Sequence, residues 1–133
     1  MKRVLAILIA MSVMAFCGCG GVASVSSGQA TYRHIPSDEA KRMMEAEAGY
    51  IILDVRTQRE FEEGHIPKAV CIPNESIDKK PPSLLPDKGQ KIFVYCRSGR
   101  RSKEAAQKLA DMGYTNIIEF GGIIDWHGEV VKD

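Results

Sequence analysis

"KIFVYCRSGRRSKEAAQKLADMGYTNIIEF", residues 91–120, sets the fold class. KIFVY is an apolar run without alternation, the pattern of a strand covered on both faces. After the loop that follows, Ala105, Leu109 and Met112 fall on one face of a helix, and Gly113 stops it. NIIEF is then a further strand. One thiol, Cys96, and three arginines, Arg97, Arg100 and Arg101, lie between the first strand and the helix.

The same grammar extends outward in both directions. YIILDV (50–55) is a second continuous apolar run, AVCIP (69–73) a strand ended by Pro73, and YRHI (32–35) a weak first strand. Ser37 reads as an N-cap with Asp38 and Glu39 in the first turn. Ala40, Met43 and Met44 follow at helical spacing, and Gly49 ends that helix. TQREFEEG (57–64) reads as a short helix and GGIIDW (121–126) as the start of a last one. Four of the chain's six prolines lie between Pro73 and Pro86, so residues 74–90 read as an irregular connection. Strands alternating with helices predict one α/β domain, a five-stranded, mainly parallel sheet with helices on both faces. Sites in such sheets form at the carboxyl ends of strands. Cys96 has that place after the fourth strand, and Asp54 after the second.

The chain has 133 residues, 26% of them charged, and a formal net charge of +1. No basic stripe points to nucleic acid as a partner. The start is set apart from the domain. Lys2 and Arg3 precede an uncharged apolar run from Val4 to Phe16, too short for a bilayer span of about 20 residues but suited to a secretory leader. With Gly18 before Cys19, the stretch resembles a bacterial lipoprotein signal. That resemblance implies cleavage after residue 18, lipidation of Cys19, and a membrane-anchored protein of the cell envelope, outside the cytoplasm and facing the periplasm in a two-membrane bacterium. Loss of Lys2 and Arg3 turns the net charge from +1 to −1. Residues 19–31, rich in Gly, Ser and Ala, read as a flexible tether, leaving 32–133 as the domain.

The arginines around Cys96 are therefore local. Cations at a helix N-terminus oppose its dipole at a cost of up to about 1 kcal/mol each, so they call for an anion nearby. Gly99 permits positive φ and lets backbone N–H groups turn inward, and such a nest binds anions. The nearest candidate anion is the Cys96 sulfur, since a helix N-terminus and arginines favour thiolate. Surface pairing of the arginines with Glu104 or Asp111 is the alternative.

Three motifs in order, LDVRTQREFEEGHIPKAVCIP, VYCRSGRRS and GGIIDW, resemble the rhodanese family over roughly residues 32–128. The resemblance implies a single rhodanese-like domain with strand order 1-5-4-2-3. It also implies sulfurtransfer, in which Cys96 takes a sulfane sulfur from a small anionic donor such as thiosulfate and holds it as a persulfide. A thiol, a protein thiol partner or cyanide then removes the sulfur. The loop Arg97, Ser98, Gly99, Arg100, Arg101 and Ser102 would bind donor and persulfide, with no metal or organic cofactor. His65 matches a position that is chiefly structural. Lys68 departs from the family, whose HIPGA motif has glycine there. In the implied strand order, the second strand separates those carrying Cys71 and Cys96. Their backbones would then lie roughly 10 Å apart, too far for a disulfide.

Two rival readings stand beside this one. A Cdc25-like phosphatase has a loop of Cys, five residues, Arg, but Ser102 stands where that arginine would be. A non-catalytic rhodanese-like module for sulfur binding or protein interaction usually lacks the loop cysteine. Asp54 reads as structural, paired with Arg56 or Arg59 or capping the turn at Thr57. His34 and His127 show no metal-ligand spacing, and Trp126 reads as packing at the pocket edge.

Overall fold

The computed structural model describes residues 30–132. The leader, Cys19 and nearly all of the tether lie outside the described residues. The elements run β1 (Arg33–His34), α1 (Ser37–Ala46), β2 (Ile51–Asp54), α2 (Gln58–Glu63), β3 (Val70–Cys71), β4 (Ile92–Cys96), α3 (Arg100–Asp111) and β5 (Ile117–Gly122). The sheet order is β1-β5-β4-β2-β3, and every pairing is parallel. This matches the order that the rhodanese resemblance implies.

Central β4 explains the unalternating run. Ile92, Val94 and Cys96 join one apolar cluster with Ala105, Leu109 and Ala110 of α3. Phe93 and Tyr95 join the other, with Ala40 and Met44 of α1. Both faces of the strand are thus covered, and all five of its residues are buried.

Two local expectations need correction. Pro36, not Ser37, is the N-cap of α1. Proline's fixed φ suits the entry to the helix, and the Ser37 hydroxyl instead donates to the Asp125 carbonyl at 2.9 Å. Gly121 and Gly122 extend β5, and only Ile123–Asp125 form a short 3₁₀ turn. The connection over residues 74–90 is irregular apart from a 3₁₀ turn at Asn74–Ser76.

Cys71 and Cys96 are free thiols. β2 lies between their strands, with Asp54 in register with Cys71 on one side and with Tyr95 on the other.

Candidate functional site around Cys96

Cys96 closes β4 at the carboxyl edge of the sheet and is 1% exposed. Its Sγ accepts the Gly99 backbone N–H at 3.0 Å and lies 3.4 Å from the Ser102 hydroxyl. Gly99 is the N-cap of α3 with φ 111°, in the left-handed region, which brings its N–H onto the sulfur. Among the described residues, it is the one backbone N–H bonded to Sγ.

Gly122 of β5 lets the loop lie close against the strand. A Cβ on Gly122 would stand 1.9 Å from the Arg97 carbonyl oxygen and 2.5 Å from the Ser98 nitrogen. Only a residue without a side chain lets the loop approach β5 this closely, and Ile124 N–H donates to the Arg97 carbonyl at 3.3 Å.

The arginines divide among different partners. Arg101 grips Glu60 with two bonds of 2.8 and 2.9 Å, and Arg100 pairs with Glu104 at 3.0 Å on the surface. Glu60 also completes a capping box with Thr57, whose N–H donates to it at 2.9 Å. The Arg101 hydrogen bond holds the Glu60 carboxyl down to about 2, well below its ordinary value, against the opposing effect of burial. The same partner raises Arg101. Arg97 is exposed and forms no ion pair among the described residues. It lines a cleft of about 430 Å³ with Arg56, Glu60, Glu63, Gly64, Ile123 and Ile124. The loop thus brings Cys96, Gly99 and Ser102 together, while Arg100 and Arg101 turn to carboxylates of α3 and α2.

Asp54 is fully buried and takes Arg56, not Arg59, as its partner. The guanidinium reaches both carboxylate oxygens at 2.6–3.1 Å, and the Arg56 N–H adds a bond of 2.9 Å. Arg56 also donates to the Gly64 carbonyl at 2.7 Å, which fixes the end of α2. Arg59 pairs with Glu63. His65 is buried, stacks on Phe61 with centroids 3.8 Å apart, and shares a hydrogen bond with the Phe61 carbonyl. Trp126 packs on Phe120. Cys71 is half-buried, and burial together with the Asp54 charge pushes its thiol up to about 11.

Glu119 is a residue that the sequence reading missed. It is fully buried in β5, on the α3 side of the sheet. Ser102 hydroxyl donates to its Oε1 at 2.6 Å, Gly121 N–H to the same oxygen at 2.8 Å, and His34 Nδ1 lies 2.5 Å from Oε2. The available signal was one charge inside the apolar run NIIEF.

Comparison with known proteins agrees with this geometry. The rhodanese-like domain model matches residues 36–129. Thiosulfate sulfurtransferase PspE of Escherichia coli is 34% identical over 73 residues, 55% of this chain and 70% of that protein. The adenylyltransferase and sulfurtransferase UBA4 of Meyerozyma guilliermondii is 40% identical over 89 residues, 61% of this chain, but the chain spans only 21% of its length. Among solved structures, a rhodanese with anions from E. coli superposes with a TM-score of 0.58 at 32% identity, over 63% of this chain and 99% of that one. Fold, strand order, the cysteine loop on its glycine pair and these matches lead to one assignment: the chain belongs to the rhodanese-like domain family.

Proposed function

We propose that this protein is a sulfurtransferase that carries sulfane sulfur on Cys96, from a small anionic donor such as thiosulfate to a thiol or cyanide acceptor. The observation that carries this reading is the Cys96 sulfur at a strand end, in hydrogen-bond reach of Gly99 N–H and the Ser102 hydroxyl. A thiolate there is stabilised by a charge-assisted bond, and an α3 N-terminus backs it. It attacks the outer sulfur of thiosulfate. The donor's S–S bond breaks, its electron pair leaves with sulfite, and Cys96 holds a persulfide. The acceptor then attacks the terminal sulfur, and the electron pair returns to Sγ. Two half-reactions of this kind give ping-pong kinetics.

Arg97 is the cation best placed to meet the donor, on the rim of the cleft and unpaired among the described residues. Guanidinium suits an oxyanion. Ser98 and Gly99 supply the loop backbone. Arg100 and Arg101 contribute to the field while their carboxylate partners hold the helix start in place. Names of relatives support the reaction class: PspE is a thiosulfate sulfurtransferase and UBA4 carries the word sulfurtransferase in its name.

The test is the intact mass of the protein after thiosulfate treatment. A gain of one sulfur, lost on reduction and mapped to Cys96, is expected. Cys96→Ser loses the gain and the transfer to cyanide, whereas Cys71→Ser keeps both. Sulfur uptake that survives Cys96→Ser sinks the proposal, and a protein that never takes up sulfur is a binding module.

We further infer that Cys19 bears the lipid and that the domain sits in the cell envelope on a tether. The support is the basic start, the short apolar run and Gly18 before Cys19. Cys19→Ala should leave an unprocessed or soluble form on fractionation. Unchanged membrane association, with no lipid on the wild type, is the contrary result.

A further inference from the structure

Two buried carboxylates stand near the carboxyl edge of the sheet, Asp54 and Glu119, each 0% exposed. Burying a carboxylate is costly unless its charge is compensated. Asp54 is compensated permanently by the Arg56 guanidinium, which does not lose its proton. Glu119 has no lysine or arginine partner among the described residues. Its oxygens meet a hydroxyl, a backbone N–H and an exposed imidazole. A hydroxyl both donates and accepts, and an imidazole does either according to tautomer. Two of the three partners therefore serve the acid as well as the carboxylate.

The hydroxyl is the one that touches the Cys96 sulfur. Ser102 has a single proton and three oxygen acceptors: Glu119 Oε1 at 2.6 Å, Gly99 carbonyl at 2.9 Å and Gly121 carbonyl at 3.3 Å. The short, charge-assisted bond to Glu119 takes the proton. A Ser102 lone pair is then left for the Cys96 S–H at 3.4 Å. The result is a continuous chain: Cys96, Ser102, Glu119, His34. Its outer end opens beside a cleft of about 340 Å³ lined by His34, Ser37, Ser98, Lys103 and Asp125. Its inner end is the thiol.

The geometry points to Glu119 as the acceptor of the Cys96 proton, through Ser102, with His34 as the connection to solvent. In the step, the Cys96 S–H proton passes to Ser102 Oγ as the Ser102 O–H proton passes to Glu119 Oε1. One S–H bond is exchanged for one carboxyl O–H bond, no electrons are transferred, and one negative charge moves from carboxylate to sulfur. The site thus holds a single negative charge in either arrangement. Without this exchange a thiolate would form beside a buried carboxylate, and like charges at that range oppose each other. With it, the anionic donor meets one charge rather than two. The persulfide anion that follows keeps the same count. The groups facing Glu119 are Cys96 from β4 by way of Ser102, Ser102 from α3 and His34 from β1. Lys103 and Asp125 lie in the cleft beyond.

This inference rests on Cys96 being the reacting thiol, but its test needs no sulfur transfer. The rate of iodoacetamide alkylation at the Cys96 peptide of the full-length chain is followed by mass spectrometry across pH. An isolated thiol gains about tenfold in rate per pH unit below its single inflection and then levels. A thiol sharing its proton with a carboxylate titrates as a pair. Its rate rises in two steps, separated by a plateau where the shared charge is partitioned at a constant ratio. Wild type is expected to show two steps, and Glu119→Gln one, with circular dichroism confirming that the variant is folded. A single step in wild type overturns the inference whether or not the variant folds. Two unchanged steps in Glu119→Gln overturn it as well. Sulfur transfer persisting in Cys96→Ser would instead sink the sulfurtransferase reading, whatever the pH profile.

Discussion

Arg101, in the first turn of α3, and Glu60, in the first turn of α2, form a bidentate ion pair at 2.8 and 2.9 Å. The pair ties the start of the helix behind the Cys96 loop to the helix that follows β2. Glu60 is anchored again by the Thr57 N–H, so the two helix starts share one carboxylate.

That pair sets an acid limit. Glu60 titrates near 2 in the fold, against an ordinary value of 4.5. Its folded value is depressed, so the stabilisation is complete above about 4.5 and is lost as pH falls toward 2. Glu60→Gln should cost on the order of 1–2 kcal/mol at neutral pH, after allowance for solvent screening, and much less at pH 2. Urea unfolding at the two pH values checks it, and an equal cost at both would contradict the assignment.

Asp54→Asn strands a buried guanidinium. Arg56 is 5% exposed and, apart from Asp54, donates to the neutral Gly64 carbonyl, which leaves its charge unbalanced. Breaking a buried pair from one side costs about 3–5 kcal/mol. A drop of that size in urea is expected, with Arg59→Ala, on the surface, near zero by comparison.

Gly122→Ala should separate loop position from loop chemistry. The new methyl meets the Arg97 carbonyl oxygen at 1.9 Å, so the loop must move. Overpacking of this kind costs about 1–3 kcal/mol. Displacing a reacting group by about 1 Å can cost a hundredfold in rate. Sulfur uptake by the folded fraction should fall by far more than the change in unfolding free energy explains. An alanine variant of wild-type activity would show that the close approach is unnecessary.

Lys68→Gly should stabilise. Lys68 is exposed and has φ 69°, the one non-glycine residue with positive φ among those described. Left-handed backbone strains a residue with Cβ by about 1–2 kcal/mol, and glycine's greater unfolded-state entropy returns part of the gain. A net increase of about 0.5–1 kcal/mol in urea unfolding is expected, with sulfur uptake unchanged. This also gives the physical reason why glycine is usual at the position.

Much of this architecture is legible in the chain because YIILDV and KIFVY are covered on both faces and carry no alternation. Gly99 is legible as well, since backbone that must turn leaves a residue type behind, whereas Gly121 and Gly122 read as the start of a helix and instead extend β5. Tertiary partners are another matter. Arg101 reads as a cation facing the loop until the fold brings Glu60 from 41 residues away. Glu119 reads as one odd charge in a strand. Its partners Ser102 and His34 stand 17 and 85 residues distant, and only the parallel register of β1 on β5 sets His34 beside it. Ser37 misleads for a local reason, because a proline immediately before it takes the capping place.

The sheet ends on both sides in strands of two residues, β1 and β3. Each edge exposes only a couple of unpaired backbone groups, too few to template a neighbouring chain. Crowded copies of this domain therefore have little means of zippering into shared sheets.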